Sequence, residues 1–193
     1  AAALAEAVAA WRQTGARVVE LPPPDVITAH ALAVTVLLAE AAATQGHWVD
    51  GREQDLTPVT AISLRKGRQI EPADHADALA RRPSCIDAFC AEVFTCCNAL
   101  LLPILPIPVP TLDETDWGAP SRGRLVAAMM RHTPAINFLG LPALALPCGF
   151  DAHGLPIGHQ IVGRPFDEGT LLRLGAAFQT VTDWHSRRPP HRA

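Results

Sequence analysis

TPAINFLGLPALALPCGFDAHGLPIGHQIVGRPFDEGTLLRL, residues 133–174, carries enough local signals to place two strands and a helix. The part before Ala143 reads as a loop. Ala143 to Cys148 is a short apolar run closed by Pro147 and Gly149, the pattern of a buried strand. Asp151-Ala152-His153-Gly154 is a turn in which Gly154 is free to take positive φ. From Ile157 to Gly163 the chain alternates, with Ile157, His159 and Ile161 on one face and Gly158, Gln160 and Val162 on the other. Two close strands joined by a tight turn predict an antiparallel pair. Asp167 offers a carboxylate to the free amides of a helix beginning at Glu168. Phe166 and Leu171 stand at the positions of a hydrophobic staple. Leu171, Leu174, Phe178 and Val181 fall on one helical stripe.

Upstream, Leu4, Val8 and Trp11 line one face of a first helix, and Gly15 sits where a C-terminal cap belongs. Arg17 to Leu21 reads as a strand stopped by Pro22, Pro23 and Pro24. Asp25 can cap a second helix reaching about Thr44, apolar over most of its circumference and so expected to be largely buried. Gly46 to Leu56 is polar and reads as a loop, and Leu64 to Arg68 as a turn between helical pieces. Pro72 suits the first turn of another helix. Pro83 should interrupt or kink it before it resumes through Asn98. Ala99 to Leu102 is a short apolar strand running into Pro103, Pro106, Pro108 and Pro110, which forbid helix and hold the chain extended. Ser121 can cap a helix over residues 122–132, with Thr133-Pro134 as its breaker.

A chain of 193 residues suits one domain over 1–193, and 49% apolar content supports a substantial core. The formal net charge of -3 gives no case for nucleic acid or an acidic membrane surface. The uncharged run Val26 to Ala39 is too short to cross a bilayer, and the Ala-rich start carries Glu6 and no basic stretch, unlike a signal peptide. Five cysteines, with Cys96 and Cys97 adjacent, argue against a complete disulfide framework and for reduced thiols in a cytoplasmic protein.

The series Asn137, Gly140-Leu141-Pro142-Ala143, Pro147-Cys148-Gly149, Gly154-Leu155-Pro156-Ile157-Gly158, Gln160, Gly163, Pro165-Phe166, Glu168 and Leu171-Leu172 resembles the C-terminal block of amidase signature enzymes. The closing Trp184-His185-Ser186-Arg187-Arg188-Pro189 is similar to that family's usual ending. Weaker resemblance runs back over the whole chain. The resemblance implies an α/β fold, a mixed sheet flanked by helices. It also implies that the opening helix and strand correspond to the middle of the family's polypeptide, so that this chain is expected to be a C-terminal half. The implied activity is hydrolysis of a carboxylic amide through a serine acyl-enzyme, with no cofactor.

That chemistry needs a serine hydroxyl, a base within hydrogen-bond reach and donors for the oxyanion. The family supplies them from a second serine, a lysine and a glycine- and serine-rich segment. Here the four serines, Ser63, Ser84, Ser121 and Ser186, are scattered, and the one lysine, Lys66, sits between arginines. No catalytic residue carries over, so the chain alone is expected to be inactive. Cys148 with His153 or His159 is a conceivable nucleophile and base, set against a small turn residue. Cys85, Cys90, Cys96 and Cys97 invite a metal reading, but they lack the two-residue knuckle of zinc sites.

What the resemblance leaves is a pocket wall: the proline-rich loop, represented by Pro106, and the following helix, represented by Met130. Amidotransferase-type members usually hold an acidic residue where Met129-Met130-Arg131 stands, so a more apolar pocket and a general amidase are expected. Three readings follow: scaffold and pocket wall for an amidase acting on a small-molecule amide, a non-catalytic partner docking on an N-terminal amidase half or a homologue, or a Cys/His metal module. Association, with such a half or with itself, is expected from uncovered apolar surface.

Overall fold

The computed structural model describes residues 2–188; Pro189, the last residue of the terminal motif, lies outside them. The chain is α/β. Helices α1 (Ala2–Gln13), α2 (Ile27–Gln45), α3 (Trp48–Gly51), α4 (Pro58–Gly67) and α5 (Pro72–Val93) lead to strand β1 (Ala99–Pro103). Helices α6 (Leu112–Thr115), α7 (Arg122–Met129) and α8 (Thr133–Leu139) follow, then strands β2 (Ala143–Phe150) and β3 (Pro156–Gly163) and helix α9 (Glu168–Thr180). The sheet order is β1-β3-β2, and both pairings are antiparallel.

The alternation of β3 divides the core. Val162 faces a cluster with Leu32, Ala33, Phe89, Val93, Ile136 and Leu139, built by α2, α5 and α8. Ile157 and Ile161 face Trp11, Leu146, Cys148, Leu171 and Phe178, built by α1 and α9. Helices therefore cover both faces of the sheet, as a period-two strand with two apolar faces requires. The β2–β3 turn is tied by Asp151, whose Oδ1 accepts from the amides of His153 and Leu155, both at 2.8 Å, with Gly154 at φ +77. At Pro147-Cys148-Gly149 the register slips by one residue, so β2 does not stop there but bulges and continues to Phe150.

Several local expectations fail for identifiable reasons. Arg17 to Leu21, expected as a strand, belongs to no sheet, because its backbone finds no partner among the described residues. Residues 64–67 are helical. Gly67 is there because α4 crosses α2 so closely that a Cβ would overlap the Leu38 carbonyl oxygen. Gly46 to Leu56 folds into α3 and a 3-10 turn, pinned by Arg68 on Asp50 (2.5 Å) and Arg52 on Asp55 (2.8 Å). Pro83 does not interrupt α5, which runs unbroken to Val93 and leaves Cys97 and Asn98 outside. Thr133-Pro134 starts α8 instead of breaking a helix, since proline is tolerated in a first turn. The segment before Ala143, expected as loop, is thus that helix, closed by Gly140 at φ +68.

Two caps and a staple also differ. Asp167 accepts from the hydroxyl of Thr170 (2.6 Å) and not from a backbone amide. Phe166 takes φ +60 and is 95% exposed, so it forms no staple with the buried Leu171. Ser121 donates to the Glu114 carbonyl (3.0 Å) and leaves α7 without a side-chain cap. In α1 the buried residues are the small Ala7 and Ala10 beside Trp11, with Leu4 and Val8 only half-buried. Helix α2 departs furthest: it has 19 residues, and by length and composition it could cross a bilayer. Only Ala29, Leu32 and Ala33 are buried, while Ile27 is 80% and Leu37 54% exposed.

Candidate active-site wall

At the end of β1 the chain leaves the sheet on an excursion that returns only at α8. Ile104 donates its amide to the Gly158 carbonyl (3.3 Å), and the missing side chain of Gly158 makes room for the Ile104 side chain. His132 donates from Nδ1 to the Pro103 carbonyl (2.9 Å), across 29 residues of chain. These two bonds form the neck of an arm. The outgoing limb through Pro110 holds no helix, since its prolines exclude one, and it bends at Ile104 and again at Pro106 and Ile107. A capping box then starts α6: Thr111 accepts the Glu114 amide, and the Glu114 carboxylate accepts the Thr111 amide (2.8 Å). Those bonds hold the Glu114 carboxyl below its ordinary pKa. The T-L-D-E sequence carries this signal, overshadowed by the prolines beside it.

No residue between Leu101 and Thr133 is buried. Leu105, Val109, Leu112, Trp117 and Met130 are exposed, Leu112 by 88%. An arm of this kind, apolar and packed mainly on itself, offers its side chains to something other than the core. Pro106 lies on the outgoing limb, half-buried, and Met130 on the returning limb, 43% exposed and two residues before the neck histidine. The two expected pocket residues thus flank one neck.

A cleft of about 770 Å³ opens beside the same neck. Its lining includes Trp11, Val18 to Pro24, Cys97, the outer side of β1, and His132. His132 belongs to both features.

The other chemical candidates are scattered. The hydroxyls of Ser84, Ser121 and Ser186 donate to nearby main-chain carbonyls of Arg81, Glu114 and Asp183, and Lys66 is exposed in the last turn of α4. Cys148 is fully buried in the bulge, and burial first, then Glu6, raises its thiol pKa, which opposes a nucleophilic thiolate. His159 is likewise fully buried. Its Nε2 accepts the indole N–H of Trp11 at 3.1 Å, so the proton of the neutral ring sits on Nδ1. Desolvation pushes its pKa down to about 4. His153 is exposed in the turn. Cys85, Cys90 and Cys97 pack against the core while Cys96 is exposed. Among the described residues no three metal-ligating side chains converge.

Comparison with known proteins agrees with this architecture. The Amidase family model matches residues 1–172, and the chain belongs to that family. An amidase of Pseudomonas putida is 32% identical over 189 residues, 97% of this chain and 40% of that protein. A putative amidase of Mycobacterium tuberculosis is 36% identical over 139 residues, 72% of this chain and 29% of its own length. Over a shorter stretch of 57 residues, 30% of this chain and 12% of the relative, one of the glutamyl-tRNA(Gln) amidotransferase subunits of Chloroflexus aggregans reaches 65% identity. A crystal structure of an amidase superposes with a TM-score of 0.76 at 26% identity, covering 92% of this chain and 41% of that one. The chain therefore spans well under half the length of the relatives it matches.

Proposed function

We propose that this chain supplies scaffold and pocket wall to a cytoplasmic hydrolase of small carboxylic amides. The acyl-enzyme would form on a serine carried by a glycine- and serine-rich segment outside these 193 residues. The arm carries the reading. It projects apolar residues around a neck where Pro106 and Met130 lie, yet its serine is committed to a main-chain carbonyl. Amide hydrolysis requires hydroxyl, base and oxyanion donors held together to a fraction of an ångström, and the described residues hold no such set. The wall and the chemistry thus belong to two parts of one fold.

Membership in the amidase family and the longer alignments to amidases support amide hydrolysis. The apolar Met130, in the neighbourhood where amidotransferase-type members usually hold an acidic residue, supports simple aliphatic or aromatic amides. The five free thiols support a reducing compartment. The uncovered faces of α2 and of the arm support association with an N-terminal amidase half, or with a second copy of the chain.

The test is an amidase assay of the chain alone and after co-expression with the part of the Pseudomonas putida amidase that lies outside the aligned span. No turnover above buffer alone, with turnover and improved solubility in the pair, is the expected result. Complex formation without turnover would instead assign the chain a non-catalytic docking role. Turnover by the chain alone that disappears in Cys148→Ala would place the nucleophile in the bulge and refute the proposal.

A further inference from the structure

His159 takes no part in the amide chemistry, yet it is fully buried where α1 meets the sheet. Its Nε2 accepts the indole proton of Trp11 at 3.1 Å, and its Nδ1 finds no partner among the described residues. The elements packed around the ring give it apolar surroundings. Trp11 comes from α1 and Phe178 from α9, edge-on at 5.1 Å, with Trp184 a further 5.8 Å beyond Phe178. Leu146 of β2 and Pro103 of β1 stand opposite His159 in the two ladders. Among the buried residues of that cluster Cys148 alone titrates, and burial first, then Glu6, raises its pKa and keeps it neutral. The charged residues of the same elements, Glu6 and Arg12 of α1, Glu168 and Arg173 of α9, and Asp183 and His185 beside Trp184, are exposed. None of them offsets the burial, which alone moves the His159 pKa down to about 4.

Trp11 is the principal anchor of α1. The buried residues of that helix are Ala7, Ala10 and Trp11, and an alanine methyl covers little area beside an indole. The indole stacks on Phe178 at 4.6 Å and spends its N–H on His159. Beyond Gly15, residues Ala16 to Pro24 make no backbone hydrogen bond among the described residues, so lifting α1 off β2 breaks no strand pairing. An element joined by so few bonds opens as a unit of its own. A protonated ring turns the bond at this joint into N–H facing N–H and sets an unpaired charge among aromatic rings. Displacing α1 relieves both, because it brings water to the ring.

We propose that Trp11 and His159 form an acid-released latch: protonation of His159 frees α1 while the β1-β3-β2 ladder stays paired, and Leu146, Ile161 and Phe178 are bared. The direction follows from the two states. Released, the imidazole stands in water and takes a proton near pH 6.5; closed, it does so only near 4. The closed state is fully favoured above pH 6.5 and loses ground as pH falls toward 4. Between pH 7.5 and 5 the release constant therefore rises about thirtyfold. The bared apolar face favours association in acid. The latch uses residues of this chain alone and does not depend on where the serine nucleophile lies.

Hydrogen exchange of the full chain at pH 7.5 and pH 5, corrected for the intrinsic pH dependence of amide exchange, tests the latch. The amides of Val8 to Gln13 should open about thirtyfold more often at pH 5. At both pH values they should open at least about tenfold more often than those of Ile161 and Val162 in β3. His159→Gln, whose carboxamide oxygen still accepts the indole proton and does not titrate, should hold α1 equally at both pH values. Trp11→Phe keeps the stack and removes the donor, so it should raise the opening of α1 about fivefold at pH 7.5 with β3 unchanged, and it tests the joint where the glutamine variant fails to fold. One common opening constant for α1 and β3 at both pH values would mean that His159 titrates only when the whole fold is lost, and overturns the latch. Opening of α1 that is equal at pH 7.5 and 5 overturns it too, as does a thirtyfold rise that survives His159→Gln.

Discussion

Trp11 and His159, 148 residues apart, join the first helix to the middle strand through one buried hydrogen bond of 3.1 Å. The imidazole also lies edge-on to Phe178 at 5.1 Å, and Phe178 stacks on Trp11 at 4.6 Å. The Nδ1 proton has no partner among the described residues. The arrangement suits the neutral ring: a protonated His159 would present an N–H to the indole N–H and place a charge among aromatic rings.

A pH dependence follows. In the unfolded chain the imidazole binds a proton near pH 6.5, and in the folded protein only near 4. The unfolded state holds more protons in that window, so stability is full above pH 6.5 and falls as pH drops toward 4. The loss is on the order of 3 kcal/mol by pH 4. Urea midpoints measured from pH 7.5 to 4 should decline, and His159→Gln should flatten that decline. An equal slope in the variant would assign the acid sensitivity to other groups.

Phe166 overturns the expected staple and reverses the sign of a mutation. Its φ of +60 costs an L-residue about 1 kcal/mol, and its ring, 95% exposed, recovers nothing by burial in the chain alone. Phe166→Gly should therefore raise stability by up to about 1 kcal/mol, and Phe166→Ala should leave it nearly unchanged. A loss near 3 kcal/mol in urea unfolding would restore the buried-ring reading.

Much of the sheet is legible in the sequence because its information is local. The alternation of Ile157 to Gly163 and the Asp151–Gly154 turn each constrain a few neighbouring residues, and β3 divides its faces as that pattern requires. What fails depends on distant partners. Arg17 to Leu21 has strand composition, but a strand needs a neighbour to bond. The apolar circumference of α2 suggests burial, yet composition says only that a face would be covered if something lay against it. Gly67 signals a turn in isolation and a helix crossing in context. For the site, the proline-rich limb is visible, while the His132–Pro103 bond that closes the neck joins residues no local pattern connects.

Gly67 makes that contrast measurable. In an exposed helix, Gly→Ala gains about 1 kcal/mol of propensity. Here the added methyl would meet the Leu38 carbonyl and the Ala42 side chain, neither of which can move without separating α4 from α2. Gly67→Ala should thus destabilise by about 2 kcal/mol or more. A higher urea midpoint would show that the two helices slide apart freely.

The thiols should react in the order of their exposure. Cys96 is exposed, Cys97 is half-buried with its pKa raised by desolvation, and Cys148 is fully buried with its pKa raised as well. Iodoacetamide at neutral pH, read by mass spectrometry, should label Cys96 first and Cys148 only on unfolding. Early labelling of Cys148 would mean that the bulge opens in the native state.

The arm should behave as the least stable part of the fold. Protection from exchange grows with buried apolar contact, and between Leu101 and Thr133 no residue is buried. Helix α7 spans eight residues without a side-chain cap, too short to hold itself together by propensity. The His132–Pro103 bond ties the two limbs at one point, leaving α6 and α7 to open beyond it. The amides of Leu125 to Met129 should therefore exchange at least about a hundredfold faster than those of Ile161 and Val162 in β3. His132→Ala should extend fast exchange to Ile104 while leaving β3 slow, because it unties the neck but not the sheet. Slow exchange throughout α7 in the chain alone would show that the arm is already packed, and its exposed Leu112, Trp117 and Met130 would need no partner.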